Sequence, residues 1–271
     1  MERERFMHAN TFDRYLAGSS RIHQLDPRVK VVLTLLFIIS NVLLPDGSWL
    51  AFLAAWLILL AINRAAHFSF GYLFKRSFIA LPFALAAITV IFVQPGNPLA
   101  SWEIGSRTLT ISDAGVIRFA SIVIRSWLSV QAAILLTATT QFPDMMHALR
   151  HLKVPAILIS IISFMYRYLF VLVDEALRLL RAREARSARL VADGKHGGTV
   201  FWRARVTGSM VGQLFVRSFE RSDKVYNAML ARGYRGQLLT MNPHVMQQPD
   251  WLFLALGVGL IMVLQVIARF I

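Results

Sequence analysis

Ala156-Ile-Leu-Ile-Ser-Ile-Ile-Ser-Phe-Met-Tyr-Arg-Tyr-Leu-Phe-Val-Leu-Val173 is apolar on almost every face of a helix, broken only by Ser160, Ser163 and Arg167. Pro155 opens it, and from Asp174 the same period continues as charged helix to about Ala192. These eighteen residues, at about 1.5 Å each, nearly match the ~30 Å hydrocarbon core of a bilayer. Whether they cross a membrane decides the fold, and the answer lies in the runs on either side.

Toward the N-terminus, Val29 to Leu44 and Trp49 to Ile62 flank Pro45-Asp46-Gly47, a turn signal, and read as a helical hairpin. Each is short for a span of ~20 residues. A third run, Phe78 to Val93, ends at Gln94-Pro95-Gly96-Asn97-Pro98. Leu99 to Ile111 is different: β-branched and alternating around Gly105-Ser106, it predicts a small β-hairpin outside the bilayer. Ser112 then caps a helix from Asp113 to about Thr140. Arg118 and Arg125 are seven apart on it, hence on one face. A charge at membrane depth faces the protein interior or a polar cavity; the plainer reading is two interfacial arginines bonded to carbonyls. Pro143 opens a short basic piece, Asp144 to Lys153. Toward the C-terminus, Asp193-Gly194-Lys195-His196-Gly197-Gly198 is a break. A helix from about Val200 to Arg232 follows, stopped by Gly233 as its left-handed C′ residue. A linker, Tyr234 to Asp250, leads to a last apolar run, Trp251 to Phe270.

Counting sides resolves the long helix. With the N-terminus cytoplasmic, the turn at Asp46 is outside, the loop with Arg64, Lys75 and Arg76 is inside, the hairpin is outside, and the chain returns inside at Thr140. Were Ala156 to Val173 to cross, Asp174 to Gln248 would be outside with 13 Lys and Arg against six acidic residues. Positive charge stays on the cytoplasmic side, although the rule weakens for long loops. The expectation is that this run does not span, and that lipid and a partner protein cover it. The chain then divides into a cytoplasmic segment 1–28, a four-helix membrane region 29–140, a cytoplasmic region 141–250 and a C-terminal membrane helix 251–271.

The totals point the same way. The 271 residues are 56% hydrophobic and 16% charged, with mean hydropathy +0.54, whereas soluble domains carry about 25% charged residues. Lys and Arg number 29 against 15 Asp and Glu, a net +14. Such a balance fits nucleic acid, anionic lipid or cytoplasmic loops; the apolar runs favour loops and set nucleic acid aside. With no cysteine, disulfides and thiolate metal sites are excluded. Residues 1–28 hold no apolar core of leader length, and Arg3, Arg5, Arg14, Arg21 and Arg28 place them in the cytoplasm.

The basic helices carry the candidate site. Their arginines read most simply as a solvated, positive-inside face. The sharper candidates are Arg183 in Ala-Arg-Glu and Arg232 in Ala-Arg-Gly, each able to project a five-donor guanidinium toward a partner's carboxylates. Gly208 and Gly212 form a small-xxx-small face on which two helices can cross.

At these residues the chain resembles a family, the transmembrane T components of energy-coupling factor importers, and within it the cobalt-transport branch called CbiQ. The resemblance rests on Asp13-Arg14-Tyr15, His23-Gln24-Leu25-Asp26-Pro27-Arg28-Val29-Lys30, Leu149-Arg150 with Val154-Pro155, and Arg167-Tyr168-Leu169. It continues through Asp174-Glu175-Ala176, Ala182-Arg183, Arg217-Ser218 and Ala228 through Tyr234. It implies an all-α inner-membrane protein of a bacterium, with about five transmembrane helices and long coupling helices crossing in an X. It also implies that Ala182, Arg183, Glu184, Ala231, Arg232 and Gly233 dock in grooves of two CbiO-like ABC ATPase subunits. The first motif here ends in Glu184 rather than Gly. A CbiM-like substrate-binding membrane subunit, with a small CbiN-like accessory subunit, would sit on an apolar platform of Ile157, Ile161, Phe164, Met165 and Tyr168. The implied cargo is cobalt or nickel.

No Gly-x-x-x-x-Gly-Lys-Ser/Thr sequence is present, so ATP is not expected to bind here through a P-loop, and no cofactor is expected. His147 and His151 share a helical face, but only Asp144 offers a third donor, in a basic stretch; no metal site is assigned. The main rival reading is a self-sufficient secondary transporter or channel, which places polar groups mid-membrane on broken helices; only Arg118 and Arg125 qualify. An intramembrane enzyme would need a Ser/His or Asp/Asp pair at depth, and none is found.

Overall fold

The computed structural model describes residues 15–104, 107–186, 199–236 and 246–270. The expected hairpin tip at Gly105-Ser106, the break around Asp193, most of the linker after Tyr234 and the motif residues Asp13 and Arg14 lie outside them. The described residues form two units, one within Asp13–His151 and Asn242–Ile271, the other within Leu152–Met241.

The first unit is a helical bundle. A single turn, α1 (Arg21–Gln24), precedes α2 (Pro27–Val42). Asp26 caps α2 by accepting from Arg28 N–H at 2.8 Å, and Pro27 occupies the first turn, where its missing N–H costs nothing. The turn at Asp46-Gly47 leads to α3 (Trp49–Ala65).

The run expected as one helix over Phe78–Val93 is broken. Here α4 (Phe70–Ser77) passes through a 3₁₀ turn (Phe78–Ala80) into α5 (Leu81–Ala87) and α6 (Thr89–Val93), with a 46° bend. Pro82 lacks the N–H that a continuous helix would need there. Strands β1 (Pro98–Ile104) and β2 (Arg107–Ser112) pair antiparallel, Trp102 opposite Leu109.

Next comes α7 (Asp113–Thr139). Its N-cap Ser112 Oγ accepts from Gly115 N–H at 3.0 Å and donates to Gln94 O at 2.7 Å. Gly115 is required: a Cβ there would meet the Ile91 carbonyl at 2.6 Å, so α6 and α7 touch backbone to backbone. The short α8 (Phe142–His151) and the last helix, α11 (Gln248–Phe270), complete the unit.

Its core is Phe37, Ala51, Phe52, Ala55, Leu59, Leu73, Leu128, Ala132, Leu135 and Leu264, with α2 at the centre against α7 and α11. Alanines at 51, 55 and 132 let the helices approach closely. Polar groups fasten α2 to both neighbours. Asn41 Nδ2 donates to Arg125 O and Ser129 Oγ, and Gln265 Nε2 donates to Ser40 O and Oγ at 2.7 Å.

Arg125 and Arg118 both serve loops. Arg125 donates to Leu44 O and, at 2.7 Å, to Asp46; Arg118 donates to Gln94 at 2.9 Å and lies 3.9 Å from Asp46. They fasten the ends of the first and third apolar runs, and the carbonyl reading holds for Arg125.

Outward faces stay apolar: Leu53 and Leu57 on α3, and Leu252, Met262 and Val263 on α11, are exposed. Among the described residues, three helices are long and apolar enough to cross a membrane, α7, α11 and Ala156–Arg186, or four if the bent α4–α6 stretch counts as one. The chain is a membrane protein with several apolar helices. Length and composition qualify Ala156–Arg186 as a span; the charge count argues against it.

Candidate coupling surface

The second unit is built on two long helices, α9 (Ala156–Arg186) and α10 (Val200–Ala231). Thr199 caps α10, its Oγ1 accepting from Trp202 N–H at 3.3 Å. Three contacts set the direction of the pair. Phe164 meets Tyr234 edge to face at 6.4 Å, Glu175 accepts from Arg217 at 2.8 Å, and Arg183 donates to Thr207 Oγ1 at 3.5 Å. As the number rises along α9, its partner's falls, so the helices are antiparallel.

Arg232 is at a helix C-terminus, where the carbonyl ends of the backbone dipoles favour a cation. Arg183 is in the last described turn of α9, half-buried, between exposed Ala182 and Glu184. Arg232 is the C-cap of α10 and exposed, as are Ala231 and Gly233.

The stop after Arg232 is a Schellman motif. Gly233 takes φ +80°, its N–H donates to Leu230 O at 2.9 Å, and Tyr234 N–H donates to Met229 O at 3.0 Å. Only Gly adopts that φ without strain, so Gly233 fixes where α10 ends and Arg232 with it. The structure does not bring the two arginines together: from Thr207, beside Arg183, to Ala231 is about 36 Å along α10 at ~1.5 Å per residue.

The five platform candidates divide. Ile157, Ile161 and Met165, spaced i, i+4, i+8, are 67%, 56% and 63% exposed along one face. Phe164 and Tyr168 are half-buried: their rings stack at 6.5 Å, and Tyr234 lies against Phe164.

Gly208 and Gly212 are open. Among the described residues, a Cβ added at either would meet nothing within 4 Å, so no described helix packs on them. The reason is rotational: at about 100° per residue, Thr207 and Arg217, which meet α9, are turned about 100° and 180° from Gly208. The glycines instead share an open stripe with Phe215, Phe219, Tyr226 and Leu230, all exposed.

Sequence reasoning missed the residue that joins the helices. Glu175 is mostly buried and takes both Arg217 and, at 3.5 Å, Arg178. Its signal was present: Asp174 and Glu175 are the first carboxylates after the apolar run. His147 and His151, in the other unit, sit edge to face at 4.9 Å, and the described residues contain no group of three His, Asp or Glu able to hold a metal.

The CbiQ family, described as cobalt transport protein, matches residues 18–243. The chain belongs to the CbiQ family. That span includes both arginines and both long helices, α9 and α10, and it ends before α11. Curated relatives agree with the resemblance read from the sequence. The energy-coupling factor transporter transmembrane protein EcfT of Lacticaseibacillus paracasei is 28% identical over 233 residues, 82% of this chain and 84% of that one. The EcfT of Lactobacillus helveticus is 29% identical over 231 residues, 82% and 80% of the two chains. An uncharacterized protein of Methanocaldococcus jannaschii is 26% identical over 232 residues, 84% and 76%.

Proposed function

We propose that this CbiQ-family chain is the non-catalytic transmembrane coupling component of an ATP-driven importer of the energy-coupling factor type, with cobalt or nickel as cargo. The observation that carries this reading is the antiparallel α9–α10 pair. It presents Arg232 at the C-terminal end of α10, Arg183 in the last described turn of α9 and, also on α9, an exposed apolar face. An exposed apolar face of that length calls for a partner or lipid, and a guanidinium at a helix end calls for a carboxylate.

In this reading two ABC ATPase subunits receive Arg183 and Arg232, and a substrate-binding membrane subunit rests on Ile157, Ile161 and Met165. Closure of the ATPases moves the helix ends, and the platform tilts the substrate subunit. The chain has five spans, α2, α3, the bent α4–α6 stretch, α7 and α11, with a cytoplasmic N-terminus; α9 lies at the inner face and 141–250 is cytoplasmic.

Three experiments test this. Reporter fusions at Asp193 and Gln247 should both read cytoplasmic, and a periplasmic signal at Asp193 overturns the topology. Replacing Arg183 and Arg232 together by Glu should abolish association with the ATPase subunits, and a complex that survives both changes removes the docking assignment. The chain reconstituted alone should carry no Co²⁺ or Ni²⁺; autonomous flux returns the reading to a self-sufficient transporter.

A further inference from the structure

We propose that Asp250 is a positioning residue that ties the start of α11 to the first turn of α2, where Lys30 holds the end of α7, so that both ends of the segment 140–247 meet one point of the membrane bundle; this rests on the coupling function proposed above. Asp250 is the third residue of α11 and lies beyond the stretch matched by the CbiQ family. Its Oδ2 accepts from Gln247 N–H at 2.9 Å, closing the N-terminus of its own helix. Its Oδ1 accepts from Asp26 N–H at 3.1 Å, and Asp26 is the N-cap of α2. One carboxylate therefore serves two helix N-termini. Each end carries about half a positive charge, so two such ends brought together repel unless an anion lies between them. Both aspartates are buried, where a charge-assisted hydrogen bond is strongest.

The other end of the segment is held four residues along α2. The Lys30 ammonium, also buried, donates to Thr139 O at 3.1 Å and His23 O at 3.0 Å. Thr139 is the last residue of α7, whose negative end suits a cation. Residues 26–30 thus hold the point where the chain leaves α7 and the point where it enters α11. Displacement carried into the start of α11 passes to α2 through the Asp250 carboxylate; with that bond cut, α2 no longer follows α11.

The absence of cysteine permits a switchable test. Asp26→Cys with Asp250→Cys replaces the hydrogen bond by a thiol pair that oxidation links. The complex is purified from membranes through a tag on this chain and reconstituted, and Co²⁺ or Ni²⁺ accumulated per ATP hydrolysed is measured. The reduced form should keep its ATPase subunits and hydrolyse ATP but lose transport per ATP about tenfold, the scale set by one buried charge-assisted bond. Oxidation should restore it. A reduced form with the wild-type ratio overturns the proposal, as does an oxidised form no better than the reduced one. Asp250→Asn, which preserves shape, guards against misfolding: it should assemble normally and still lose coupling, and normal coupling in it also overturns the proposal. A wild-type complex that lacks ATPase subunits or accumulates neither ion overturns the proposed function, and this inference falls with it.

Discussion

Arg217 of α10 donates to Glu175 of α9 at 2.8 Å, the shortest polar contact described between the two long helices. Glu175 is mostly covered while Arg217 is more than half exposed, so water screens the pair on one side. A double-mutant cycle with Glu175→Gln and Arg217→Gln, read by thermal melting, should give a coupling of about 0.5–1 kcal/mol. Its larger effect should fall on geometry, because this contact sets the register of α9 against α10. ATPase subunits should co-purify less with Glu175→Gln than with a control such as Glu220→Gln. Equal recovery of the two removes the register role.

Gly233→Ala should shift the α10 terminus. The native φ of +80° is unfavourable for Ala, at a cost of about 1 kcal/mol. The last turn then frays and Arg232 loses its fixed position. ATPase association should weaken, although the substitution removes no side chain from the contact. Hydrogen exchange at Gly233 and Tyr234, whose N–H groups close the motif, should speed up in parallel.

Substitutions on the α9 platform should sort by exposure. Ile157→Gln, Ile161→Gln and Met165→Gln alter open positions, where stability shifts by about 0.5 kcal/mol or less. They should leave the melting temperature of the isolated chain unchanged and reduce recovery of the membrane partner. Phe164→Ala removes a ring packed on Tyr168 and Tyr234. It should lower the melting temperature as well. A platform whose open positions can all be changed with the partner retained is not the docking face.

His23 makes the N-terminal segment sensitive to acid. Its Nε2–H donates to Leu16 O at 3.0 Å, Nδ1 accepts from Ser20 Oγ–H at 2.6 Å, and the ring packs against Tyr15 and Phe68. Burial is the main influence lowering its pKa below the ordinary 6.5; Lys30 and His67 add to it, against the raising effect of the Leu16 carbonyl. Just below pH 6.5 the unfolded chain therefore binds more protons than the folded one, so stability rises with pH there and falls on acidification. Melting at pH 5.5 should be lower than at pH 7.5, and His23→Gln should flatten the difference. An unchanged slope in that variant excludes His23 as its source.

Much of this architecture was readable from period and punctuation. Ser112 with Asp113, Pro155 and Gly233 each carry a local chemical instruction, and the helices begin or end at them as expected. The bend at Pro82 was overlooked because hydropathy runs straight through it; only the missing N–H marks it. Within the candidate site, Arg183 and Arg232 were singled out by the short Ala-Arg motifs around them. Glu175–Arg217 was not, because the two residues are 42 apart and nothing local announces the pairing. Gly208 and Gly212 show the converse. Spacing shows that a face is small, but which way that face turns depends on where α9 lies. Asp250 bonding to Asp26 across 224 residues is the extreme case, a contact that exists only once the bundle is closed.

The antiparallel course of α9 and α10 has a consequence for stoichiometry. Two helices packed head to tail are exchanged by a twofold axis perpendicular to both, so their C-terminal ends are equivalent positions even though their sequences share no repeat. A chain with no internal symmetry thereby offers Arg183 and Arg232 as a pseudo-symmetric pair. The natural complement is a partner that is itself a dyad, receiving one arginine in each of two like sites. One copy of this chain would then engage two ATPase subunits without a second copy to complete the match.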